Sequence, residues 1–182
     1  MPACKTLTAY QRQCGRNARA GINPDVYAIA YDDLILVTGS TEKYTESVTG
    51  LVTAIGMNTV APLVKFVKIG TVVNQGALTE AFTANENGTF DIVKTLAVAI
   101  NNIGTIEGRN LADSFIGQPV AFLVKLNSGA WVALGLNGQF QMSTTEGGAD
   151  GTSNGRTITF SGSDSVFVQI VDPTIVAGYL AA

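Results

Sequence analysis

Fourteen carboxylate side chains, two cysteines and no histidine make up the reactive inventory of this chain. Without imidazole, proton transfer near neutral pH would fall to carboxylates, and nucleophilic attack to Ser, Lys or Cys. The carboxylate pairs are Asp32-Asp33 and Glu80 with Glu86. They stand in turn and hairpin contexts, where solvated charge is the expected role. Asp150, Thr152, Asn154 and Gly155 imitate the opening of a calcium-binding loop. Its twelfth position is Ser161, where a bidentate Glu is required, so no calcium site is expected. A zinc site takes about four ligands, which Cys4 and Cys14 alone do not supply. No Gly-x-x-x-x-Gly-Lys-Ser/Thr phosphate loop occurs, and nothing marks a Ser–Lys or cysteine nucleophile. Asn87-Gly88-Thr89 matches a glycosylation sequon, which carries little weight beside an amino terminus without the apolar stretch of a signal peptide. The expectation is a protein with no catalytic centre, no metal and no cofactor.

The bulk properties point toward packing. Hydrophobic residues reach 46% and mean hydropathy is +0.27. No run of about 18 apolar residues exists that could cross a membrane. A surplus of apolar surface in a chain of this size is hidden most simply in an oligomer. The net charge is -3 and the pI near 4.8, so the chain lacks the basic footprint of a nucleic-acid binder. Lys5, Arg12, Arg16 and Arg19 could touch phosphate, but they read as part of an exposed amino-terminal arm. Two cysteines are too few for a secreted disulfide framework and suit a reducing cytoplasm. Their spacing leaves open whether Cys4 and Cys14 are bridged.

The elements that would carry these residues are short and β-prone. Residues 1–24 read as an arm and 25–172 as a single β-rich domain. Residues 173–182 read as an apolar tail after Pro173. Strands are expected at Val26–Ala30, Leu34–Thr38, Gly50–Ile55 and Leu63–Ile69, with a tight turn at Asp32-Asp33 and a polar surface loop over 39–47. Ala77–Thr83 and Thr89–Ile100 flank Asn85-Glu86-Asn87-Gly88, a strong hairpin signal because Asn and Gly tolerate positive φ. In the returning strand Phe90, Ile92, Lys94 and Leu96 share one parity. Ile103–Ile116, capped by Thr105, is the one expected helix. Val120–Leu126 and Ala130–Leu134 pair across Asn127-Ser128-Gly129, with Trp131 as a core anchor. Gln139–Ser143 follows the turn at Asn137-Gly138. Residues 144–155 read as a polar, glycine-rich loop, before closing strands at Thr157–Ser161 and Val166–Val171.

Four of these stretches resemble virion structural proteins of tailed bacteriophages, in particular tail-tube-like proteins of phages that infect Bacteroidetes. They are Cys4…Cys14 leading into Gly21-Ile22 and Asp25–Ala30; Asn87-Gly88-Thr89-Phe90 before a long strand and a helix; Val120–Gly135 with Asn137-Gly138; and Gly151–Gly155 feeding Arg156–Gly162. The resemblance implies a mainly β fold, a β-sandwich or rolled β-barrel with a long hairpin and one flanking helix. It also implies a non-enzymatic subunit that self-assembles into rings, commonly of six copies, which stack into a tube for DNA. The partners so implied are further copies of the chain and other virion proteins. DNA would be met only in passage, without sequence preference, and no membrane is involved. The place would be the virion tail, after assembly in the bacterial host cytoplasm. The expected assembly contacts are Tyr44 and Glu46 in the 39–50 region, Asn85, Asn87 and Gly88 at the hairpin turn, Gly147, Gly148, Asp150 and Asn154 in the glycine-rich loop, and Tyr179 and Leu180 in the tail. The chain departs from the pattern in one respect, since Ala77–Ile100 is apolar on both parities. That fits a hairpin buried on both sides in an assembly, or a neck, tail-terminator or head-decoration protein. A sugar-binding β-sandwich is the reading from another class, disfavoured by the single Trp.

Overall fold

A computed structural model describes residues 21–58, 63–72, 75–86, 89–101, 104–149 and 154–181. Its strands, in chain order, are β1 (Ile22–Ala30), β2 (Tyr44–Glu46), β3 (Leu51–Ile55), β4 (Val67–Gly70), β5 (Ala77–Ala84) and β6 (Phe90–Asn101). After the helix α1 (Ile106–Ser114) come β7 (Val120–Leu126), β8 (Trp131–Leu134), β9 (Gln141–Ala149), β10 (Asn154–Asp164) and β11 (Gln169–Val171). The helix α2 (Pro173–Tyr179) closes the chain. The strands form a seven-stranded sheet in the order β2-β3-β11-β8-β7-β1-β4 and a four-stranded sheet in the order β5-β6-β10-β9. The fold is mainly β, a two-sheet sandwich in which each sheet keeps two free ends.

The alternation of side chains along a strand decides what each face meets. On one face of the larger sheet Val26, Ala28, Phe122, Val124, Val132 and Leu134 pack against Leu96, Val98, Ile158 and Phe160 of the smaller sheet. Ala112 and Phe115, on and just after α1, join this core. Four phenylalanines form its centre: ring centroids lie 4.6 Å apart for Phe122–Phe160, 5.0 Å for Phe115–Phe160 and 5.9 Å for Phe122–Phe140, all edge-on. Such pairs are worth about 0.5–1.5 kcal/mol each beyond the area they bury. The reverse face of the larger sheet carries Ile29, Ala121, Leu123, Ala133, Val52 and Val171. It packs against Val176 of α2 and against Leu34 and Phe66 from the connections. The larger sheet is therefore covered on both faces. This explains why Val120–Leu126 is apolar at every position through Val124.

Several expectations are corrected here. Residues 144–149 and 154–155 are strand where a loop is expected, because β9 runs to Ala149 and β10 starts at Asn154, paired from Asn154↔Ala149 to Ser161↔Gln141. The apolar tail is the helix α2. Asp172 caps it by accepting the Thr174 N–H at 2.9 Å, and Pro173 stands where helices tolerate proline. Among the described residues there are thus two α-helices where the sequence predicts one, and the first is shorter than Ile103–Ile116. The 39–47 loop contains β2. Leu34–Thr38 forms no strand, and only Leu34 makes a bridge, to Met57. β1 begins at Ile22, inside the expected arm. Thr105 does cap α1, its hydroxyl accepting the Gly108 N–H at 3.2 Å. The hairpin turn before Trp131 places Gly129 at φ 90°, a conformation that glycine adopts without strain.

Candidate functional site

Among the described residues the four-stranded sheet is covered on one side only. Its inward face carries Leu78, Ile92, Leu96, Ile158, Phe160 and Met142. Strand registers place a different population on its outward face. There β5 contributes Ala77, Thr79, Ala81 and Thr83, and β6 contributes Asp91, Val93, Thr95 and Ala97. β10 contributes Thr157, Thr159, Ser161 and Ser163, and β9 contributes Gln141, Thr144, Glu146 and Gly148. Hydroxyls and methyls dominate this surface. Its charges are two carboxylates, Asp91 and Glu146, near opposite ends of the strands. Among the described residues of this face no Lys or Arg appears. Lys94 and Arg156 occur on the same strands with inward parity.

Among the described residues neither outer strand of this sheet has a partner on its outer side. β5, eight residues long, has one neighbour, β6, and is exposed at every position except Leu78, which is half-buried. β9, nine residues long, is paired only with β10 and is exposed from Ser143 to Gly148. Edge strands with unpaired N–H and C=O groups are templates for pairing with another chain, and proteins usually blunt them with Lys, Pro or short length. β5 and β9 are long and carry neither Lys nor Pro; their charges are Glu80 and Glu146, and the β9–β10 pairing has one bulge. At the far end of the β5–β6 hairpin Phe82 and Phe90 stack at 5.7 Å and stay 58% and 48% exposed.

The expected contact residues scatter over this frame. Gly147 and Gly148 lie on the open strand β9, exposed, with Gly148 on the outward face. Asn154 opens β10. Asn85 stands in the β5–β6 turn, its side-chain amide donating to Thr89 Oγ1 at 3.0 Å and Asp91 Oδ2 at 3.3 Å. Asn87, Gly88, Asp150, Cys4 and Cys14 lie outside the described residues. Tyr44 and Glu46 sit on β2, the edge of the larger sheet, away from both open strands. Glu46 accepts a hydrogen bond from the buried Gln169 amide. Burial raises the Tyr44 phenol above its ordinary value, against a hydrogen bond with Gln169 that lowers it. Tyr179 and Leu180 are half-buried and make contacts within the chain. The Ile55 N–H donates to the Tyr179 hydroxyl at 3.0 Å, and Leu180 bridges to Phe66.

The residues that sequence reasoning missed are the Thr and Ser of β9 and β10. The period-two placement of Thr157, Thr159 and Ser161 around Ile158 and Phe160 was the available signal. Among the described residues no three of Cys, Asp and Glu gather as a metal ion would require. No helix among them is long and apolar enough to cross a membrane. Comparison with family models, with curated proteins and with solved structures returned no match to any of the three. What defines the class of this protein is therefore its own architecture, a two-sheet β-sandwich with one sheet open at both edges.

Proposed function

We propose that this chain is a self-assembling structural subunit whose four-stranded sheets join edge to edge into a ring, a component of a phage tail tube. The observation that carries the reading is the pair of long unprotected edges, β5 and β9, on opposite sides of one exposed sheet. β5 and β10 run against β6 and β9, so the two edges point in opposite directions. Rotation about an axis along the strands leaves strand direction unchanged. β9 of one copy would then meet β5 of the next antiparallel, which is the pairing used throughout the sheet. Such a contact is heterologous and gives a ring where its rotation closes. Main-chain hydrogen bonds supply the joint without special side chains, which suits a surface of Thr, Ser and Ala. The outward face would line the ring. Its hydroxyls and two carboxylates offer passing phosphates no cation to bind.

The experiment is a concentration series followed by light scattering and negative-stain microscopy, on the wild type and on Ala81→Lys, which sets a charge on the β5 edge. Rings or stacked tubes from the wild type, lost or weakened in Ala81→Lys, support the reading. A monomer at every concentration overturns self-assembly and favours a capsid- or connector-bound subunit, to be sought by mixing with other virion components.

A further inference from the structure

The smaller sheet buries one cation, and the assembly reading does not use it. Lys94 stands partway along β6 on the inward face, between Ile92 and Leu96, with a side chain 2% exposed. Its Nζ lies 2.7 Å from Oδ2 of Asp164, whose own side chain is 14% exposed. The other carboxylate oxygen, Oδ1, accepts the backbone N–H of Ser165 at 2.7 Å. Directly across the ladder on β5, in register with Lys94, is Glu80. Side chains so paired on one face have Cβ atoms about 4.5–5.5 Å apart. Glu80 Oε1 accepts the Val168 N–H, which holds the carboxylate on this side of the sheet. On the other flank of Lys94 the β10 partner is Gly162, which has no side chain.

An ammonium has three donors, and among the described residues Asp164 is the polar partner that Lys94 has. Burying an ion pair removes both charges from water, and their attraction repays this only with every remaining donor satisfied. An amide linking the two side chains would remove both charges. The site holds the parts for it: an amine nitrogen against a carboxyl group, a backbone donor on the far oxygen, and a second carboxylate on the adjacent strand in register with the lysine.

We propose that Lys94 and Asp164 condense into an intramolecular isopeptide bond, with Glu80 as the proton relay. Proton transfer from Nζ to Oδ2 within the pair yields an amine and a carboxylic acid. The nitrogen lone pair attacks Cγ, and the charge that develops on Oδ1 faces the Ser165 N–H. Glu80 takes the second proton from nitrogen and delivers it to the Oδ2 hydroxyl, which leaves as water. One C–N bond forms, one C–O bond breaks, and no oxidation state changes. The product ties β6 to β10 covalently. This inference stands apart from the assembly reading.

Intact mass of the purified, fully reduced and unfolded chain tests it. The wild type is expected one water lighter than its sequence, with a branched peptide joining the segments around Lys94 and Asp164 after digestion. Lys94→Arg and Asp164→Ala should each keep their full sequence mass. Asp164→Asn should lose ammonia instead of water, and Glu80→Gln should leave most of the protein unlinked. A wild type at full mass, with unbranched peptides over both segments after prolonged incubation of the folded protein, overturns the proposal and leaves a buried ion pair. The wild-type measurement decides the matter even if a variant fails to fold.

Discussion

Two glycines of the β9–β10 hairpin should respond oppositely to the same change. Gly162 points toward the turn before β9. A Cβ built there would lie 2.4 Å from the carbonyl oxygen of Gln139 and 3.0 Å from both the Gln139 carbonyl carbon and Phe140 Cα. Ordinary contact begins at 3.4 Å, so the shortfall is about 1 Å, and every atom in the way is backbone. A flexible side-chain tip could yield, but this turn is fixed by Phe140, buried among the clustered phenylalanines. Gly162→Ala therefore has to part β10 from the 139–140 backbone, at a cost of about 1–3 kcal/mol as for other overpacked sites. Gly148 lies in extended backbone, with nothing within 4 Å of the place a methyl group would take. Gly148→Ala meets no obstacle and should stabilise by about 0.4–1 kcal/mol through the unfolded chain. The two variants should differ by roughly 1.5–4 kcal/mol, a large fraction of the 5–15 kcal/mol of a typical domain. Urea unfolding at one low protein concentration measures it, as midpoint shifts at unchanged slope. Equal midpoints, or a more stable Gly162→Ala, would refute the close approach of β10 to the turn and with it the stated packing of the two sheets.

Tyr179→Phe removes the acceptor of the Ile55 N–H and should cost about 1 kcal/mol, read from the same urea curves. Asp172 has its carboxyl held below the ordinary value by the hydrogen bonds from the Thr174 hydroxyl and N–H. Its contribution is thus present above the ordinary carboxylate value and lost as pH falls through the depressed one. Asp172→Asn keeps a capping oxygen and should flatten this part of the acid-unfolding profile, while Asp172→Ala should lower stability at neutral pH as well. Changing Asp91 and Glu146 together to Lys should create salt-dependent DNA retention on a surface that otherwise repels phosphate; filter binding at two salt concentrations checks it, and unchanged binding would count against the lining role of that face.

How much of this was legible depended on whether a strand's two faces differ. The β7–β8 hairpin could be read because Gly129 supplied the positive φ and the flanking residues are apolar. The β5–β6 hairpin was announced by its Asn-rich turn, and α1 by Thr105. Only the start of β9, within the expected Gln139–Ser143, was legible: its exposed run, Ser143 to Gly148, has no apolar side chain and resembles a polar loop. Only pairing with β10 makes it a strand. α2 was hidden for another reason. Asp172-Pro173 is a sound helix start, yet the short apolar stretch after it gives periodicity little to act on, and its burial depends on a sheet face built from distant residues. Among the candidate contacts, Gly147 and Gly148 fall on an open edge. Tyr179 and Leu180 were chosen for their apolar setting, and both also make contacts within the chain. Lys94 shared its parity with Ile92 and Leu96 in the sequence, and that pattern already implied an inward lysine.

The order of the larger sheet has a bearing on when a subunit becomes whole. β11, the last strand of the chain, lies between β3 and β8, pairing parallel with the first and antiparallel with the second. No earlier segment can stand in for it. While the segment after β8 has yet to fold, the middle of this sheet stays unfilled. Pairings between remote segments are slow to form. Until β11 inserts, β3 and β8 both present bare edges. A chain cut short before Gln169 would be left with β2-β3 on one side and β8-β7-β1-β4 on the other, with no seam between them.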